Sequence, residues 1–89
     1  MPENQHIEWK TSWRDEYFRW ICGFANADGG VLHIGRNDKG KVVGLPDAAK
    51  LMQDIPNKVR DILGIVVEAN LCTEAGKEYV EIVVEPYPY

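Results

Sequence analysis

No apolar run in this 89-residue chain approaches the roughly 18–20 residues needed to span a bilayer, so a membrane partner is not expected. The opening stretch MPENQHIEWK is polar and lacks the apolar core of a secretory signal, which makes a cytoplasmic location the expectation. Cysteine is scarce as well. Cys22 and Cys72 form no Cys-x-x-Cys, and with His6 and His33 they make no pair at zinc-finger spacing. Two free, mostly packed thiols are the simpler reading. Phosphate-loop signatures are missing too: neither Gly-x4-Gly-Lys-Ser/Thr nor Gly-x-Gly-x-x-Gly occurs. Positive charge is in short supply, with a net charge of −4. A chain so acidic cannot wrap nucleic acid over its whole surface, because phosphate binding relies on cations.

What positive charge there is clusters. Lys10, Arg14, Arg19, Arg36, Lys39 and Lys41 fall in the first half, whereas Asp54 and the acids after it crowd the second. A local basic patch is therefore open to the chain. The length suits one small domain, and the 45% apolar content is ordinary for a globular core.

Periodicity predicts the elements. HIEWK (6–10) alternates apolar and polar residues as a short strand does. Ser12 and Asp15 resemble a capping box that opens a helix over residues 14–28. Phe18, Ile21, Cys22 and Ala25 share one face of that helix, widened by Trp13, Tyr17, Trp20 and Phe24. Gly29 and Gly30 end it, and two strands, VLHIG and KVVGL, flank a turn at Asp38-Lys39-Gly40. Pro46-Asp47 begins a second helix that Gly64 stops, with Pro56 either kinking it or opening a further one. IVVEANLCT and KEYVEIVVE are the last strands, joined by EAGK.

The order β-α-β-β-α-β-β reads as an α+β fold, a mixed β-sheet against two main helices. Its expected core is Trp20, Ile21, Phe24, Val31, Ile34, Leu51, Ile55, Val59, Ile62, Val80, Ile82 and Val84. Because the chain stops directly after its strongest strand, residues 1–89 read as a single domain cut from the N-terminus of a longer protein.

The glycine pair invites a phosphate-cradle reading, which its context opposes. Cradles run strand, glycine loop, helix, so that free N–H groups meet the anion. Here the helix comes first and turns its carbonyl end to the loop, so the glycines read as a cap and a close approach of helix to strand. Glu3, Glu8 and Asp38 could supply oxygens to a divalent ion, with Lys10 on the same strand face as Glu8. The plainer alternative is a solvated strand edge and a turn aspartate bonding its own backbone. Asn26 and Asp28 read as satisfying turn amides, and His33 as a half-exposed sheet residue facing away from Leu32 and Ile34. Trp9 and Trp13 could stack bases beside Lys10 and Arg14, although core packing is the commoner fate of such residues.

Taken together, E-x4-E-W-K, FANADGG, V-L-x-I-G and the D-x-G-x-V-x-GL hairpin resemble the Schlafen-type, Alba-like DNA-binding domain, from Glu3 to about Pro86. That domain opens many bacterial proteins described as transcriptional regulators or RecG-related helicases. The resemblance implies a binding module for DNA or RNA, with Lys10, Arg14, Arg36, Lys39 and Lys41 as contacts. It also implies an alternative, the metal-dependent RNase of the Schlafen branch. There Glu3, Glu8 and Asp38 hold Mg²⁺ or Mn²⁺ and Lys10 assists. Arg36-Asn37 departs from the family's usual apolar residue and second Asp, which removes one ligand. A protein-interaction or homodimerisation unit is the third reading and fits the acidic second half. No cofactor is expected of the binding module, and nothing in these residues would hydrolyse ATP.

Overall fold

The structure is a computed structural model that describes residues 6–87. Six regular elements follow one another: β1 (Ile7–Lys10), α1 (Phe18–Ala25), β2 (Gly30–Ile34), α2 (Ala48–Leu63), β3 (Glu68–Glu74) and β4 (Lys77–Val84). The strands form one mixed sheet in the order β1-β2-β4-β3. β1 runs parallel to β2, as strands joined by a helical crossover can, and the other neighbours are antiparallel. The expected α+β class holds.

Strand register decides which residues meet the helices. Leu32 lies opposite Ile82, and Ile34 opposite Val80. This face packs on Ile21, Phe24 and Ala25 of α1 and on Ile55 and Val59 of α2. Ile21, Leu32, Ile34, Ile55, Val59, Val80 and Ile82 are fully buried. Each contributes about 1.5–3 kcal/mol by leaving water. Alternation sends Val31, His33, Glu81 and Val83 to the other face, which no helix among the described residues covers.

The glycine pair does what its position suggests. Gly29 adopts φ +86°, and its N–H donates to Phe24 O at 2.9 Å, closing α1. Gly30 lets β2 pass against the Phe24 ring, where a Cβ would sit 2.5 Å from a ring carbon. The β2 backbone therefore lies directly against the Phe24 ring.

Several boundaries differ from the sequence reading. The first helix is short, entered through a 3-10 turn at Asp15–Tyr17, and no side chain caps it. The Asp15 carboxylate accepts instead from the Trp13 indole N–H at 2.9 Å and from Lys58 at 3.3 Å, which hold it below the usual carboxylate range. α2 continues through Pro56 and forgoes one backbone hydrogen bond there. The third β segment of the expected order is held by a single bridge, Arg36 to Val42, with Val43 N donating to Gly35 O at 2.8 Å. The end of that segment turns to β4, where Leu45 N donates to Glu78 O at 2.9 Å.

The core differs in detail as well. Leu32 is fully buried, whereas Val31 is half-buried on the open face and Ile62 is 61% exposed, beside Leu63, which packs on the core. Trp20 and Leu51 pack at the core's margin, and Cys22 is exposed, off the apolar stripe. Replacing Leu32 by Ala is expected to cost about 2–5 kcal/mol. Replacing Ile62 by Ala should stay within about 0.5 kcal/mol. Urea unfolding of the two variants distinguishes them, and equal losses would contradict the register.

Candidate nucleic-acid interface

Between β2 and the segment that follows it, the chain makes a tight turn that leans over the open face of the sheet. Asn37 organises it. Its side-chain oxygen accepts from Lys39 N at 2.9 Å and Lys41 N at 3.0 Å, while its carbonyl accepts from Gly40 N at 2.9 Å. An amide side chain satisfies turn amides in this way without adding charge. The departure from the family pattern at Asn37 thus shapes the turn, in the role that the sequence suggested for Asp38. Gly40, at φ +81°, closes the turn face-on to the Trp9 indole, and a Cβ there would meet the ring at 2.8 Å.

Arg36 anchors this tip to the sheet. Its Nη1 donates to Gly40 O at 2.6 Å and its Nε to His33 Nδ1 at 2.9 Å. Nη2 reaches Tyr79 Oη at 3.0 Å and Glu74 Oε1 at 3.4 Å. The guanidinium carbon also lies 4.5 Å from the Tyr79 ring centroid. Because His33 Nδ1 accepts from Arg36, the neutral ring carries its proton on Nε2, which faces Glu81 Oε2 at 3.5 Å. Asn70 in turn donates to Glu81 Oε1 at 3.1 Å and to Glu68 at 2.9 Å. Partial burial, reinforced by the Arg36 charge, holds the His33 pKa below its ordinary value, with Glu81 and Glu74 opposing that shift.

Under the tip lies a hollow of about 530 Å³ with an apolar floor of Ile7, Trp9 and Val31. Its polar lining carries both signs of charge: Arg36 and Lys39, and Glu74 and Glu81, with Arg36 and Glu74 3.4 Å apart.

The residues singled out from sequence are distributed as follows. Lys39 and Lys41 are exposed at the tip, and among the described residues neither has an acidic side chain within 4.0 Å. Arg36 is only 14% exposed and spends its guanidinium on the protein itself. Arg14 is exposed and lies 3.7 Å from Glu16. Lys10 belongs to the helix side of β1. It is 3.1 Å from Glu8 and about 5 Å from the Tyr17 and Trp20 rings, at 5.0 and 5.3 Å. Glu8 and Lys10 are thus brought together, while Asp38 rides on the tip over the opposite face. Glu3 lies outside the described residues. Among those residues, no three His, Cys, Asp or Glu side chains converge on a common ion position.

Trp9 is buried beneath Gly40, and Trp13 stacks edge-on against Tyr17 and Phe18, so both indoles serve packing. Asn26 and Asp28 are exposed at the end of α1. The His33–Arg36–Tyr79–Glu81 network was not anticipated. Its available signal was parity, since His33 and Glu81 each sit between core-facing neighbours on their strands.

A His33 pKa depressed on folding means that the unfolded chain binds the proton more readily. The stability it confers is complete above the ordinary value of 6.5 and is lost as pH falls through the folded pKa. Thermal melting of the native chain should therefore drop more steeply between neutral and mildly acidic pH than that of His33→Gln. Parallel slopes would assign the titration to another group.

The comparisons agree with this architecture. The N-terminal domain of a Nitrosomonas europaea protein named as an ATP-dependent DNA helicase RecG-related protein, solved by solution NMR, matches with a TM-score of 0.75 at 28% identity. The match covers 100% of this chain and 67% of that one. No curated protein matches the sequence. The family described as Schlafen, AlbA_2 matches residues 3–88, nearly the whole length, and this chain is a member of it.

Proposed function

We propose that this domain binds nucleic acid, as the N-terminal DNA-contacting module of a larger protein related to the RecG-like and Schlafen-type group. The observation that carries this reading is the braced tip. Lys39 and Lys41 project from a turn whose backbone is fixed by Asn37 and whose base is fixed by Arg36. A rigid mount lowers the entropy that two flexible ammonium groups lose on meeting phosphate. Arg36 serves that mount and leaves the contact to the lysines.

The acidic remainder gives the module its manner of binding. With a net charge of −4, long-range attraction to a polyanion is weak. Affinity then rests on a few phosphates and falls steeply with salt, by nearly one log unit per log unit of salt for each phosphate neutralised on duplex DNA. Arg14 is separate from the tip in sequence and provides a further exposed cation near the start of α1.

Fluorescence anisotropy with labelled DNA over a salt series tests this. Lys39→Glu with Lys41→Glu should weaken binding more than about tenfold and shallow the salt dependence by about two log units. The melting temperature should hardly change, because both side chains are exposed. An unaltered affinity and slope in the double variant would reject the tip as the contact.

A further inference from the structure

We infer that the hollow beneath the tip receives a single unpaired base, and that its wall favours guanine. This rests on the reading of the tip as the phosphate contact and extends it to the form of nucleic acid bound. Three features of the hollow converge on such a ligand.

The floor is apolar. Ile7 and Val31 are register partners on adjacent strands, both half-buried and both facing the opening. A hollow of about 530 Å³ falls within the usual range for small-ligand sites, which is about 300–1,000 Å³.

One wall offers acceptors. Glu81 holds Asn70 on one oxygen and His33 on the other, so the carboxylate is fixed in orientation. Each oxygen retains a further lone pair, and the side chain is still 33% exposed. Unpaired bases are read by hydrogen bonds on their pairing edge. Guanine alone presents two adjacent donors there, the ring N–H and the amino group, which match two carboxylate oxygens. Thymine presents one N–H flanked by carbonyls that a carboxylate repels.

The lining also includes Lys39, an exposed cation on the tip. Glu81 repels the strand's phosphates, while Lys39 attracts them. Charge therefore sets the direction in which a nucleotide enters, base first toward Glu81. In a duplex the same edge is already paired and the base is stacked, so only an unpaired nucleotide can enter.

Short strands of abasic residues carrying one central guanine, one thymine or no base test the inference with the whole chain. Guanine should bind about five- to hundredfold tighter than the baseless strand, the range of a good bidentate base contact. Glu81→Gln should erase the preference of guanine over thymine. Val31→Phe, which fills the floor, should bring the guanine strand down to the baseless level. Ile7→Phe is the second filling variant should the first melt early. Reversing Lys39 and Lys41 should weaken all three strands by a common factor.

Equal affinity for guanine and baseless strands, with the lysine effect intact, overturns the base site and leaves the tip standing. Equal affinity for guanine and thymine overturns the role of Glu81. Tighter binding of a duplex of matched length overturns the requirement for an unpaired base. A lysine reversal without effect refutes the tip instead, whatever the strands show.

Discussion

The Arg36 guanidinium joins three stretches of chain that are remote in sequence: β2 through His33, the tip through the Gly40 carbonyl, and the β3–β4 pair through Glu74 and Tyr79. A cation only 14% exposed is costly unless its N–H groups find acceptors, and here each nitrogen does. The acceptors are mixed in kind. One is a carbonyl, one a neutral imidazole, one a phenol and one a carboxylate, so most of the charge is met by dipoles rather than by opposite charge. That choice leaves Glu81 and much of Glu74 available to the open face. The position of the tip, the tautomer of His33 and the shape of the hollow all follow from where this one side chain is held.

The two faces of the sheet do different work because of strand alternation. Leu32, Ile34, Val80 and Ile82 form a dry surface under the helices, and their burial provides the stability. Between them, Val31, His33, Glu81 and Val83 are turned outward. A face with no helix over it needs polar side chains, yet these are tied to one another and to Arg36 and are not simply solvated. The open face is therefore an ordered surface, and rigidity there is a condition for recognising any ligand. The Glu8–Lys10 pair marks the contrasting case. It sits on the helix side at the sheet's edge, where Tyr17 and Trp20 hold the ammonium.

Much of the fold was legible in the sequence because local rules and tertiary packing agree. The glycine stop after α1, the Asn37–Gly40 turn, the Ala75-Gly76 turn between β3 and β4, and the Val80–Val84 alternation all read directly. Errors arose where two weak local signals competed. Ser12 and Asp15 offered a cap, but Trp13 and Lys58 took the carboxylate. Ile62 fits the helical period of Ile55 and Val59, but Leu63 beside it packs on the core and Ile62 is turned to water. The cations were legible as types and not as roles. Arg36, Lys39 and Lys41 look alike in a run of basic residues, and only the partners brought from β4 and β3 distinguish the brace from the exposed pair.

The sheet order has a consequence for how the chain is made. β4 comes after the other three described strands in the chain, yet it occupies the interior of the sheet between β2 and β3. A ribosome releasing this chain delivers β1, α1, β2 and α2 first, with Leu32 and Ile34 lacking their antiparallel partner. Pairing over such sequence distances is slow compared with a local hairpin. The tight β3–β4 turn lets those two strands associate as a unit before β4 docks on β2. Until Val84 has left the exit tunnel, the apolar face stays open and liable to self-association. The same delay holds for the brace, since Glu74 and Tyr79 arrive with that final hairpin. The core and the brace of the tip both stay incomplete until β4 is in place.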